Sequence, residues 1–102
     1  MKKGYLIAHL RVHDIEAFEK FKQMAGPTIA EHGGKVLVRE PNPDVREGKN
    51  LGTALVIEFE SIDIARKFYE SEEYQAAKAV RELASDTDLI LAEESEVVLK
   101  NN

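Results

Sequence analysis

The hydrophobic period of the chain switches repeatedly between two and about 3.6, and the switches mark its elements. From Gly4 to Val12, Leu6, Ala8, Leu10 and Val12 fall on one face and Tyr5, Ile7, His9 and Arg11 on the other. That alternation predicts a strand with one apolar face and one mixed face. Asp14 is a good helix N-cap, and Ile15, Phe18, Phe21 or Lys22, and Ala25 follow at amphipathic spacing. Gly26-Pro27 then interrupts the pattern. Proline is tolerated in the first turn of a helix but not inside one, so a kink and a second short segment from Thr28 to Glu31 are expected. Gly33-Gly34 supplies left-handed backbone to end the helix, and Lys35 to Glu40, with its Val36-Leu37-Val38 core, reads as a second strand.

The run from Pro41 to Gly52 is long for a hairpin and reads either as an exposed tip or as a binding loop. Thr53 to Glu60 alternates again, with Leu55, Ile57 and Phe59 on one face and Ala54, Val56, Glu58 and Glu60 on the other. Ser61 can cap a helix carrying Ala65 and Phe68, and Ser71 can break it and cap a second one carrying Tyr74, Ala77, Val80, Leu83 and Ala84. Asp86-Thr87-Asp88 is turn-like, and Leu89 to Ala92 reads as the last strand. The division expected is one domain over residues 1–94 and a C-terminal tail over 95–102, in which Val97-Val98-Leu99 is an added strand or a partner contact.

The order strand, helix, strand, strand, helix, strand, joined by right-handed crossovers, gives an α+β ferredoxin-like plait: a four-stranded antiparallel sheet with its helices on one face. The other face must meet water or another subunit. Tyr5, Ile7, Val56 and Leu37 or Val38 make it apolar enough to favour a homodimer through the sheets, with His9, Arg11 and Glu58 near the interface.

Composition narrows the function classes. The 102 residues include no cysteine, which removes disulfides, thiolate nucleophiles and cysteine-ligated metals and agrees with a cytoplasmic home. A net charge of -5, with its basic residues scattered, disfavours a nucleic-acid partner. The apolar run Tyr5-Leu6-Ile7-Ala8 is broken by His9 and Arg11, too short for a signal peptide or a membrane span. His9 and His13 are four apart, but on a strand and its following turn they share no helical face, so no metal site is expected.

Five residues remain as candidate chemistry. His32 is either a proton-transfer group or a cap on the preceding helix. Arg39 either holds a carboxylate or enolate with its planar fork or pairs with Glu58. Tyr69 and Tyr74 flank the Ser71 break, where their hydroxyls point into a space between helices and sheet or their rings simply pack the core. Arg81, two turns after Tyr74, reaches the same space or is solvated or salt-bridged.

Read together, Gly4-Tyr5, Pro27, His32-Gly33-Gly34 with Val38-Arg39, Glu47-Gly48, Glu58-Phe59, the run from Phe68 to Gln75, and Arg81 resemble family 1330 of the domains of unknown function, in the dimeric alpha-beta barrel superfamily. The resemblance spans Gly4 to about Glu93. It implies a ferredoxin-like subunit that pairs through its sheet and no assigned activity; relatives in the superfamily include cofactor-independent monooxygenases and small isomerases. The function expected is therefore the binding of a small organic acid or carbonyl compound between sheet and helices, without a cofactor. The alternative is a cofactor-independent isomerase or monooxygenase.

Overall fold

In the computed structural model, which describes residues 2–96, the first alternating run forms β1 (Gly4–Val12). After it come α1 (Ile15–Glu31), β2 (Lys35–Glu40), β3 (Thr53–Phe59), α2 (Ile62–Glu70), α3 (Glu72–Ala84) and β4 (Ser85–Glu93). The strands form one sheet in the order β2-β3-β1-β4, every neighbouring pair antiparallel. This is the ferredoxin-like plait, with its second helical region split in two at Ser71.

The three caps are local chemistry. The Asp14 carboxylate accepts from the Ala17 amide at 3.1 Å, the Ser61 hydroxyl from Ile64 at 3.2 Å, and the Ser71 hydroxyl from Tyr74 at 3.1 Å. Each satisfies an amide that the first helical turn leaves without an intrahelical partner. At the other end of α1, Gly33 adopts φ 71° and donates to the Ala30 carbonyl at 3.0 Å, while Gly34 donates to Ile29 at 2.8 Å. These paired bonds are a Schellman motif. Gly34 is also required by packing, since a Cβ there would lie 2.7 Å from the Ile29 side chain and 2.9 Å from the Phe59 ring.

The core lies between the helices and one face of the sheet. Leu6, Ala8, Leu10, Ile57 and Phe59 meet Ala65, Phe68, Tyr74 and Ala77, all buried. Helix α2 sits directly on β1, β3 and β4, whereas α1 packs chiefly on α3 and stands off β2, every residue of which is exposed. The opposite sheet face carries an apolar row across all four strands: Val38 beside Val56, Val56 beside Ile7, and Ile7 beside Ile90. Polar rows flank it, with the Tyr5 hydroxyl donating to Glu58 at 3.2 Å on one side and Arg11 pairing with Asp88 at 2.8 Å on the other.

Four expectations are corrected. Helix α1 runs unbroken through Pro27. Pro27 and Gln23 are both exposed, so the Gln23 carbonyl that loses its amide partner can turn to water, and buried Ala25 and Thr28 anchor the helix on either side. Ile15 is 75% exposed and Leu83 76%, while Arg81 takes a place in the buried stripe of α3. Val12, expected on the apolar face, is exposed at the strand end. Finally, Asp86-Thr87-Asp88 is not a turn but the start of β4, paired with Arg11, Leu10 and His9. Chain reversal needs no loop there, because α3 passes straight into β4 and the Ala84 carbonyl accepts from both His13 and Asp14. Among the described residues no helix is long and apolar enough to cross a membrane. Val97-Val98-Leu99 lies outside the described residues.

Candidate functional site

Because α1 stands off the β2 side of the sheet, a cavity of about 240 Å³ remains between them. Its wall is mostly apolar: Leu6, Ala8, Leu55 and Ile57 from the sheet, Phe18 and Phe21 from α1, Phe68 and Tyr74 from the helices opposite. The exposed members of the lining, Lys22, Gly26, Arg39 and Pro41, mark the mouth between α1 and the end of β2.

Three of the five candidate residues line this cavity: Arg39, Tyr74 and Arg81. Arg81 is 5% exposed, and its Nη1 donates to the Tyr74 hydroxyl. It forms no ion pair with any carboxylate among the described residues, and its buried Nε–H has no hydrogen-bond partner among them. The guanidinium carbon lies 5.8 Å from the Phe21 ring centre and 5.9 Å from that of Tyr74. Cation–π attraction offsets part of the cost of removing this charge from water but leaves a donor unused. Burial pushes the Tyr74 phenol up from its usual range, against the opposing pull of Arg81. A neutral phenol that accepts from Arg81 keeps its own O–H to donate. Tyr74 and Arg81 therefore form a small donor cluster at the inner, buried part of an apolar space.

Arg39 reaches the cavity through an irregularity in β2. Val36 pairs with Ile57, but Val38 pairs with Val56 and Arg39 with Leu55, so β2 advances two residues where β3 advances one. This is a β-bulge at Leu37. Without it Arg39 would stand opposite Ala54 on the open face, the face that carries Glu58; with it, Arg39 is on the helix side, opposite Leu55. Glu58 instead takes the Tyr5 hydroxyl, and Arg39 has no ion pair among the described residues.

His32 and Tyr69 stand apart from the cavity wall. The His32 Nδ1–H donates to the Thr28 carbonyl at 2.8 Å and its ring meets the edge of Phe68 at 5.8 Å, so its bonds are those of a helix cap. Tyr69 is half-buried with its ring 5.3 Å from that of Tyr74. Lys22 was not singled out from the sequence except as a member of the α1 stripe; its place one turn after Phe18 is the signal that puts it at the mouth. No group of three His, Asp or Glu side chains among the described residues is arranged to hold a metal.

Solved structures similar to this one share its fold at low identity. A protein of unknown function from Rhodopseudomonas palustris is 17% identical with a TM-score of 0.77, over 94% of this chain and 85% of that one. A cofactor-independent oxygenase, SnoaB from Streptomyces nogalater, is 14% identical with a TM-score of 0.64, over 98% and 99% of the two chains. A dimeric protein of unknown function and ferredoxin-like fold from Bacteroides fragilis is 16% identical with a TM-score of 0.58, over 89% and 95%. No curated protein matches the sequence significantly. Residues 3–95 do match one family along their whole length, and with the plait and its Arg39 strand in place the assignment is plain: the chain belongs to DUF1330, a domain of unknown function.

Proposed function

We propose that this protein binds a small organic acid or carbonyl compound in the cavity between sheet and helices, as one subunit of a homodimer that pairs through the open sheet face. The observation that carries the binding reading is Arg81: a buried guanidinium on the wall of an apolar cavity, with no carboxylate partner and one unpaired N–H among the described residues. Leaving such a charge uncompensated costs several kcal/mol, which an anion seated against it recovers. The Tyr74 O–H supplies a second donor to the same oxygen atoms, and Arg39 at the mouth a second cation.

Support for the dimer is the apolar row Val38, Val56, Ile7 and Ile90, with Ile90 59% exposed, and the fully exposed edge strand β2 beside it. A two-fold partner covers that row in one step and leaves His9, Arg11 and Glu58 at its rim.

A second reading, a cofactor-independent small-molecule enzyme, draws on the same donors. A neutral phenol and a guanidinium facing a carbonyl oxygen would stabilise the negative charge of an enolate. The similarity to a cofactor-independent oxygenase is one of fold and raises this reading without assigning it.

Thermal denaturation with a panel of small carboxylates and quinones tests the binding reading. A ligand at a hundred times its Kd adds about 2.7 kcal/mol of stability and raises Tm accordingly. In Arg81→Met, which fills the same space without charge, folding is kept or improved and the ligand-induced rise disappears. Ligands whose effect survives that substitution unchanged would place the site elsewhere. Turnover of the hits, and its loss in Tyr74→Phe with binding retained, would select the enzyme.

A further inference from the structure

The cavity is cationic at two separate places and apolar between them. One is the buried Arg81, whose Nε–H has no partner among the described residues. The other is the mouth, where Arg39 and Lys22 stand among the exposed lining residues. Arg39 is not there by the ordinary alternation of a strand. The bulge at Leu37 turns it from the open face to the cavity face, and bulges of this kind re-aim single side chains next to binding sites. Lys22 already has Glu19 at 2.9 Å, so Arg39 is the uncommitted cation of the mouth among the described residues. A ligand with one acidic group satisfies one of these guanidiniums and leaves the other without a counter-ion.

We infer that the ligand is a short dicarboxylate with an apolar body, one carboxylate held by Arg81 and the Tyr74 hydroxyl and the other by Arg39. The inference rests on the small-acid reading above and specifies it. Both groups suit carboxylate, because the guanidinium fork matches two oxygens in a plane. The wall between them offers Phe18, Phe21, Leu55 and Ile57 to the body of the ligand. The cavity's volume of about 240 Å³ limits that body to a ring or a short chain. The whole protein carries a net charge of -5, so a preference for the more negative member of a ligand pair has to come from the site and not from the bulk field.

Titration calorimetry with matched pairs, benzoate against terephthalate and hexanoate against adipate, reads this directly. In the unmodified protein the diacid of at least one pair is expected to bind ten-fold or more tightly than its monoacid. In Arg39→Gln that ratio falls to near one, while Lys49→Gln, which removes a cation from the exposed loop, keeps it. Arg39 lies on an exposed strand, and an unchanged Tm confirms that the variant is folded. Equal binding of monoacids and diacids, or a ratio that survives Arg39→Gln, overturns the dicarboxylate inference and leaves the small-acid reading standing. Failure of every acid in both series to bind overturns both.

Discussion

The two faces of the sheet are built from the same strands and differ in what they leave unfinished. On the helix side, Leu6, Ala8, Ile57 and Phe59 are buried beside an apolar cavity of about 240 Å³, and the groups without a protein partner among the described residues are the Arg81 Nε–H and the Arg39 guanidinium. On the other side Tyr5 bonds Glu58 and Arg11 pairs with Asp88, and between these polar pairs lies the uncovered apolar row. An apolar cavity with unpaired cations on its wall and at its mouth suits a small anion with an apolar body. A face with an uncovered apolar row between polar pairs suits another protein surface.

Removing Phe68 should break this contrast most severely. Its ring is fully buried and lies 5.1 Å from Phe59 and 4.6 Å from Tyr74. Phe68→Ala is expected to cost about 3–5 kcal/mol, measured by denaturant unfolding, which for a domain of this size is a large share of the whole. A loss below 1 kcal/mol would show that the helix side is loosely packed and that its cavity is not a defined space.

A charge on the open face should have the opposite signature. Val56 stands in the middle of the apolar row and is half-buried in the single chain. In Val56→Glu, sedimentation is expected to fall from twice the chain mass to one, with secondary structure intact and acid binding by the monomer retained. If the unmodified protein already sediments as a single chain at micromolar concentration, the open face is not a self-association surface.

The two faces were also unequally legible in the sequence. Caps at Asp14, Ser61 and Ser71 depend on one side chain and the next turn, so they could be read directly. So could the strict alternation of β1, and with it the plait. What escaped depends on partners remote in the chain. The start of β4 resembles a turn because Asp86 and Asp88 are poor strand formers, yet Arg11 across the ladder pairs with Asp88. The direction of Arg39 escaped for another reason. Val36-Leu37-Val38 is apolar throughout and has no alternation to count, so nothing local shows that the bulge falls at Leu37 and reverses the facing of every residue after it. The sequence could therefore name Arg39 as a candidate without deciding between cavity and Glu58.

His32 offers the smallest and most discriminating test of the contrast, since it lies on the helix side yet outside the cavity wall. Its Nδ1–H bond to Thr28 is one of several at this helix end: the His32, Gly33 and Gly34 amides also donate to the last turn, at 3.2, 3.0 and 2.8 Å. In His32→Ala those backbone bonds persist. The loss is then one partly exposed side-chain bond and an edge contact with Phe68, about 0.5–1.5 kcal/mol by denaturant unfolding. Acid binding should stay within two-fold of the unmodified protein, because the imidazole does not line the cavity and the Phe68 ring, 5.8 Å from His32 and 4.6 Å from Tyr74, stands between it and the donors. A full loss of acid binding with stability unchanged would mean that the imidazole itself meets the ligand, and the site would then have to be moved from the Arg81 cavity to the α1–β2 joint.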